Sequence, residues 1–361
     1  MRTTPEALLV RGVVLPEAEH RELYLIDGRV SYSPVPNART VADGWIVPGL
    51  IDAHCHVGLD ARGGVEDRGE QERQARADRD AGALLLRDCG VPPDTRWIDE
   101  REDLPRILRA GRHLARPKRY LRGVGREVEP HQLAEAIAEQ ARRGDGWVKI
   151  VADWIDRGAG DLTAVWPADV LRAAADRAHA EGARITAHTF SEEALPALIA
   201  AGFDCLEHGT GLDDDLTAEL ARRGTALVPT LINIDNFPSI ADSATRFPAY
   251  AAHMRRLHAG FRNRVRTAFE AGVSIYVGTD AGGNVEHGRA ADEIRALHEA
   301  GLPAEDALAA GSWKGRSWLG MPSGLDEGAP ADLVVYAGDP RENLGVLAQP
   351  QRVVLRGRVV A

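Results

Sequence analysis

The stretch Trp45-Ile-Val-Pro-Gly-Leu-Ile-Asp-Ala-His-Cys-His56 carries an apolar run that ends on two histidines, His54 and His56. Side chains two apart on a strand share a face, so both imidazoles look toward one spot at the strand's C-terminal end. Imidazole is a borderline-soft ligand suited to zinc-like ions, and a pair this close can hold one such ion if other elements supply the remaining ligands. Alone, a His-x-His pair is a weak signal, because many are accidents of a surface. Its meaning depends on what else the chain brings to the same place.

Working outward, a pattern repeats. Helical stretches rich in Ala, Arg and Glu end at Gly82, Gly144, Gly182, Gly202, Gly224 and Gly272, each placed to be the left-handed residue that stops a helix. A short apolar run follows each glycine, from Ala83-Leu-Leu-Leu through Trp147-Val-Lys-Ile-Val, Arg184-Ile-Thr-Ala-His, Phe203-Asp-Cys-Leu-Glu-His and Thr225-Ala-Leu-Val-Pro-Thr to Val273-Ser-Ile-Tyr-Val-Gly-Thr-Asp. Helices alternating with buried strands at this spacing indicate parallel βα units. With the strand at His54 and another expected over Tyr120 to Gly125, the count reaches eight, and eight units in about 270 residues is the size of one (β/α)8 TIM barrel.

Barrel chemistry sits at the C-terminal strand ends. The residues there are His54 and His56, Arg87 and Asp88, Lys149, His188, His208, Thr230 and Asp280. Four histidines, a lysine and an aspartate are thereby expected to converge on one mouth, a set that chance would rarely assemble.

At these residues the chain resembles the amidohydrolase superfamily of metal-dependent hydrolases. The matching segments are Pro48-Gly-Leu-Ile-Asp-Ala-His-Cys-His, Thr186-Ala-His, Glu207-His-Gly and Gly278-Thr-Asp-Ala-Gly, in the family's order and spacing over nearly the whole chain. In the binuclear members a lysine ending the fourth strand is carboxylated and bridges two metals, and Lys149 occupies that position. An ammonium beside two dications would be repelled, whereas a carbamate turns the cation into a bridging carboxylate; the bland alternative is an ordinary lysine offsetting Asp280 or a substrate carboxylate in a one-metal site. The resemblance implies two divalent ions, zinc by preference, with His54, His56 and Asp280 on the more buried ion, His188 and His208 on the more exposed one, and N-carboxylated Lys149 shared. It further implies a hydroxide held between metals roughly 3.5 to 4 Å apart that attacks a carbonyl, with Asp280 as general base and then general acid.

Within the superfamily the segment from Val148 through Thr230 is similar to prolidase-like Xaa-Pro dipeptidases and to imidazolonepropionase-related enzymes, which implies hydrolysis of a C–N amide bond in a dipeptide, an N-acyl amino acid or a cyclic amide. Prolidase-like relatives usually carry a glycine-rich loop after the bridging lysine, whereas this chain has Ala152-Asp-Trp-Ile-Asp-Arg. A lactonase or phosphotriesterase-like hydrolase would use the same binuclear site, a mononuclear deaminase would not need Lys149, and a non-catalytic binding protein should have lost ligands that are all present here.

Substrate selection is expected from the loops over the mouth, with Trp154, Arg157, Phe190, Thr230 and Asn233 as candidates and His287 as the best single contact with substrate or lid. Arg87 and Asp88 are expected to pair with one another. Glu207, next to His208, should point to the opposite face and serve as a supporting or packing contact, and Asp52 either supports a ligand or accepts structural hydrogen bonds. His113, His131, His179, His253, His258 and His298 are read as solvated.

Both ends alternate like strands around turn glycines: Ala7-Leu-Leu-Val-Arg-Gly-Val-Val-Leu, Leu23-Tyr-Leu-Ile-Asp-Gly-Arg-Val, Ala331-Asp-Leu-Val-Val-Tyr and Val353-Val-Leu-Arg-Gly-Arg-Val-Val. A small β-sandwich composed of residues 1–47 and 320–361 is therefore expected around a barrel of residues 48–319. At 361 residues and 44% hydrophobic content the chain can bury a large core. A net charge of −10 argues against nucleic acid and leaves a small-molecule substrate as the expected partner. No apolar run is long enough to span a bilayer and nothing near Met1 resembles a signal sequence, so a cytoplasmic protein off the membrane is expected, with a homo-oligomer compatible. The three cysteines, Cys55, Cys89 and Cys205, have no pairing or metal spacing and are read as reduced core residues.

Overall fold

The computed structural model of the chain describes residues 7–60, 64–65 and 67–361. A ring of parallel strands forms its centre: β1 (Leu50–Cys55), β2 (Ala83–Asp88), β3 (Arg106–Arg109, continued by Leu114–Ala115), β4 (Trp147–Val151), β5 (Arg184–Thr189), β6 (Cys205–His208) and β7 (Ala226–Val228). β1, β2 and the first half of β3 pair in turn. Leu114 in the second half of β3 pairs with Ile150 of β4, and the ladder continues through β5, β6 and β7. The extended segment 273–280 closes the ring, since the Tyr276 amide donates to the Leu227 carbonyl while the Ala53 amide donates to the Val277 carbonyl and the Asp280 amide to that of His54. β1, β2 and β4 are buried at every position, as parallel strands covered on both faces must be. The barrel expected from the βα repeat is present.

Two features of the repeat differ from the expectation. The third strand lies over Arg106–Ala115 rather than Tyr120 to Gly125, which forms a turn-rich loop. Arg106 and Arg109 hide its apolar residues, and Gly111 (φ +72°) divides it into two halves. Among the six glycines, Gly82, Gly182, Gly202, Gly224 and Gly272 are left-handed, with φ between +71° and +93°. Gly144 is not (φ −84°). It is needed for close approach instead, because a Cβ there would lie 2.7 Å from the Arg109 carbonyl oxygen and 2.8 Å from that of Trp147.

The helices that wrap the ring include α1 (Arg68–Asp80), α2 (Leu133–Arg143), α3 (Ala168–Ala180), α4 (Leu195–Ala201) and α5 (Asp214–Arg223). α1 and α5 start on aspartates, Asp67 and Asp213, whose side chains accept from the amides of Glu70 and Leu216. After β7 come the short α6 (Leu231–Ile234) and α7 (Phe237–Ser243), the long α8 (Pro248–Glu270) and, past the closing segment, α9 (Ala290–Glu299).

The two chain ends meet, but hydrogen bonding joins them in one continuous seven-stranded sheet rather than two facing sheets. Its seam is the antiparallel pairing of Arg39–Pro48 with Leu333–Tyr336, in the register Val47 opposite Val334. Alternation gives the sheet two apolar faces. Val47, Val334, Tyr336 and Val353 join the barrel's core, while Ile46, Leu333, Val335 and Val354 pack with Val10 and Leu23 in a core of their own.

Candidate metal centre

The six expected ligands come together at the C-terminal mouth of the ring. Nε2 of His54 and Nε2 of His56 lie 3.1 and 3.2 Å from the same oxygen of Asp280, Oδ1. Nδ1 of His188 and Nε2 of His208 face one another at 3.0 Å, with His208 Nε2 4.0 Å from Asp280 Oδ2. The Lys149 amine is 3.4 Å from His54 Nε2, which is its single hydrogen-bond-range contact among the described residues. Five of the six belong to barrel strands or the closing segment, and His56 stands one residue past the end of β1.

Backbone geometry at the strand ends turns these side chains inward. His208 (φ +68°), Thr230 (φ +49°) and Asp280 (φ +59°) are left-handed, a conformation costly for residues with a Cβ and concentrated at functional sites. At His208 this breaks the alternation that would send Glu207 to the opposite face. Glu207 and His208 are consecutive, yet Oε2 of Glu207 lies 2.9 Å from Nδ1 of His54. Its other oxygen accepts from Arg87 (2.7 Å) and from the Thr186 hydroxyl. The expected pairing of Arg87 with Asp88 is corrected here: neighbours on a strand point apart, so Arg87 meets Glu207, while Asp88 accepts from the amides of Val57 and Gly90.

Three of the four inward imidazoles have a partner within 3.0 Å of the far nitrogen, whereas His188 has the Asp153 carboxylate only beyond hydrogen-bond distance. His54 Nδ1 is on Glu207, His56 Nδ1 is 3.0 Å from the Gly90 carbonyl, His208 Nδ1 is 2.7 Å from Thr230 Oγ1, and His188 Nε2 is 3.8 Å from Asp153 Oδ1. Outer contacts of this kind orient metal-binding imidazoles and fix which nitrogen carries its lone pair inward. Burial pushes His208 down to about 3 against the pull of Asp280, and burial with His208 and Lys149 holds His188 well below the usual imidazole value. Both rings are neutral, the form that binds metal. For Asp280 burial favours the acid, but His54, His56 and His208 outweigh it and keep the group well below the ordinary carboxylate range. Four imidazoles and one carboxylate, all aimed at a common space, fit a divalent cation in chemistry and in direction.

The remaining candidates divide. Trp154, Phe190 and Asn233 line the cavity above the ligands, with Asn233 Nδ2 donating to Asp280 Oδ2 at 2.7 Å. Thr230 is spent on His208. Arg157 stands exposed at the tip of a hairpin, outside the cavity lining. His287, expected to touch substrate or lid, instead meets Asp78 of α1 at 2.7 Å and is buried there, while Gly282, Gly283 and Asn284 of its loop border the cavity. Asp52 accepts hydrogen bonds from Thr279 and from the His54 amide. All three cysteines are buried and free.

Sequence reading missed several residues. Tyr120, Tyr250 and Met254 line the cavity from a loop and from α8. His113 and His253, read as solvated, are buried. His113 places Nδ1 2.9 Å from the same Gly90 carbonyl that His56 uses, and His253 bridges Asp161 and Glu192 at 2.9 Å each. Glu293 of α9 is wholly buried and accepts from the amides of Leu231 (2.7 Å) and Ile232 (2.9 Å), fixing the helix that carries Asn233. No local periodicity marks these positions, because only the closed barrel brings them to the mouth.

The model of the amidohydrolase family matches residues 45–360. An uncharacterized protein of Mycobacterium tuberculosis (strain ATCC 25618 / H37Rv) is 60% identical over 359 residues, covering 99% of this chain and 96% of the relative. Solved structures that share the fold include an Xaa-Pro dipeptidase with bound methionine (TM-score 0.82, 20% identity, 98% and 99% coverage) and a prolidase complexed with N-methylphosphonate-L-proline (0.82, 24%, 98% and 99%). An ochratoxinase of A. niger also does (0.77, 19%, 98% and 96%). At these identities the likeness is one of fold. Among the described residues, no helix is long and apolar enough to cross a membrane.

Two outcomes follow from the contacts. Glu207→Gln keeps the shape but weakens the hold on His54, and should lower metal affinity about 10- to 100-fold in chelator competition; unchanged affinity would make Glu207 a packing group only. Glu293, pushed up to about 8 by burial despite its two amide donors, keeps its proton when folded while the unfolded chain loses it. Stability should therefore fall as pH rises from the ordinary carboxylate range toward 8, and Glu293→Gln should flatten that slope in melting temperatures measured across the window.

Proposed function

The chain belongs to the amidohydrolase family, and we propose that it is a binuclear metal hydrolase that cleaves a carbon–nitrogen amide bond in a small molecule. The observation that carries this reading is the environment of Lys149. Its amine is buried, has no carboxylate partner among the described residues, and approaches an imidazole nitrogen already shared with Asp280. A bare ammonium is poorly served there, whereas a carbamate on the same nitrogen would supply an anionic ligand beside His54. His54, His56 and Asp280 would hold one divalent ion and His188 and His208 the other, with zinc suited to the donor set.

When bound, the ions supply Lewis acidity, making a water more acidic and polarising the amide carbonyl. The chain's own groups do the rest. Asp280, fixed through Oδ2 by Asn233, takes the proton released as the water oxygen bonds to the carbonyl carbon, then delivers it to the nitrogen as the C–N bond breaks. Glu207 and the Gly90 carbonyl orient His54 and His56, and Thr230 orients His208. A dipeptidase and a prolidase among the fold relatives support an amide over an ester or phosphate.

Asp280→Asn should lower kcat about 10²- to 10⁴-fold with the melting temperature held, and full activity in that variant would remove Asp280 from proton transfer. Lys149→Ala should lose the metal pair, with partial recovery of metal and rate on adding short carboxylic acids. An alanine variant that keeps two metals unaided would contradict the carbamate.

A further inference from the structure

We propose that the hairpin following Lys149 sets the specificity of the site, with Arg119 as its positioning residue: Arg119 holds Tyr120 against Trp154, and the slot between that pair and Phe190 takes a planar aromatic ring carried by the amide. The substrate class rests on the amide-hydrolase reading above; the positioning role does not.

Asp153–Asp156 pairs antiparallel with Asp161–Ala164, so the segment that stands in place of a glycine-rich loop is a two-stranded insert. Each of its aspartates is spent on a different neighbour. Asp153, wholly buried at the foot of the hairpin, accepts from the amides of Phe190 at 2.9 Å and Ser191 at 2.7 Å, in the loop that follows β5. Asp161 stands 2.9 Å from Nδ1 of His253 on α8, and the Gly160 carbonyl accepts from the Tyr250 amide of the same helix at 3.1 Å. Asp156 accepts from Arg119 at 2.9 Å. Three separate elements are thereby fastened to one insert, and each brings an aromatic ring to the chamber: Phe190, Tyr250 and Tyr120. Trp154 is the insert's own.

Arg119 makes the third of these joints. The loop that carries Tyr120 is held at its far end by Arg112, which donates to the carbonyls of Gly123, Val124 and Gly125. At the Tyr120 end, Arg119 donates to Asp156 and to the Trp154 carbonyl, both at 2.9 Å, on one strand of the hairpin, and to the carbonyl and hydroxyl of Thr163 on the other. A planar guanidinium fork can serve these acceptors together, whereas the single ammonium of a lysine cannot. Tyr120, the next residue, packs on Trp154 with ring centroids 4.7 Å apart. Trp154 lies 5.5 Å and Phe190 4.2 Å from the His188 ring, and Phe237 backs Phe190 at 4.8 Å. Two aromatic walls therefore flank His188 in a cavity of about 350 Å³, room for a ring and a short chain. Aromatic faces and edges reward a planar ring over a puckered one of the same size.

The test titrates acetanilide and N-cyclohexylacetamide calorimetrically into the zinc-supplied protein and its variants, with metal content and release of aniline measured on the same samples. Acetanilide should bind about tenfold more tightly than the cyclohexyl amide. Arg119→Ala should reduce that ratio to about threefold or less while metal content and cyclohexyl amide binding are retained, and Tyr120→Ala should reduce the ratio equally. In the double variant the two losses should overlap rather than add, because both remove one contact. Arg119→Lys, which keeps a charge beside Asp156 but not the fork, should lose selectivity as well and carries the test if the alanine variant does not fold. Equal binding of the two amides by the unaltered protein, an unchanged ratio in either Arg119 variant, metal lost along with selectivity, or additive losses in the double variant would overturn the proposal. Selective binding of acetanilide without release of aniline would leave the slot and its positioning residue standing and bring down the amide-hydrolase reading instead.

Discussion

Glu207 is a carboxylate with no exposed surface at the centre of a barrel, and a charge so placed is tolerated only if both oxygens are compensated. Arg87 serves one oxygen and His54 the other. Burial opposes the charge on Glu207, yet Arg87, His54 and Lys149 keep it well below the ordinary carboxylate range. The Arg87 guanidinium in turn donates to the Ala53 carbonyl and rests over the ring of Trp147. One charge chain therefore links the floor of the barrel to His54, the first of the proposed metal ligands. Structure and site depend on the same pair, since removing either partner leaves a charge buried without its counterpart.

The second organising feature is the left-handed backbone at His208, Thr230 and Asp280. Each turns a side chain toward the axis at the point where a regular strand would turn it away. The strain is held by surrounding contacts: the His208–Thr230 bond, the Asn233–Asp280 bond and the hydrogen bonds of Thr279 to Asp52. Asn233 reaches Asp280 because Glu293 holds the start of α6 from the neighbouring helix. The loops then add an aromatic chamber above a polar floor, two layers carried by one scaffold.

Much of this was legible in the sequence. The His-x-His pair, the glycine-punctuated repeat and the polar residue at each strand end were enough to give the barrel and to name the six residues that the structure gathers. What escaped was long-range. The third strand hid because arginines and a glycine interrupt its apolar pattern, so Tyr120 passed for part of a strand when it belongs to a loop over the mouth. Glu207 could be named as a supporting residue but not given its partners, because strand alternation fails at a left-handed neighbour. His287 follows Asp280 closely in sequence, yet its aspartate partner lies on α1 and no local signal connects them. Turn glycines revealed that both ends form strands, but not that those strands share a single sheet, which depends on one seam between Val47 and Val334.

The central claim is that the mouth of the barrel holds two divalent ions bridged by a carboxylated lysine. Crystals of protein purified in bicarbonate, with metal content per chain measured on the same preparation and anomalous diffraction recorded at the metal edge, test it most directly. The account predicts two metals per chain, one among His54, His56 and Asp280 and one between His188 and His208, with density for a carboxyl group on Lys149. A single metal beside an unmodified lysine, or none after full metal supply, would contradict it.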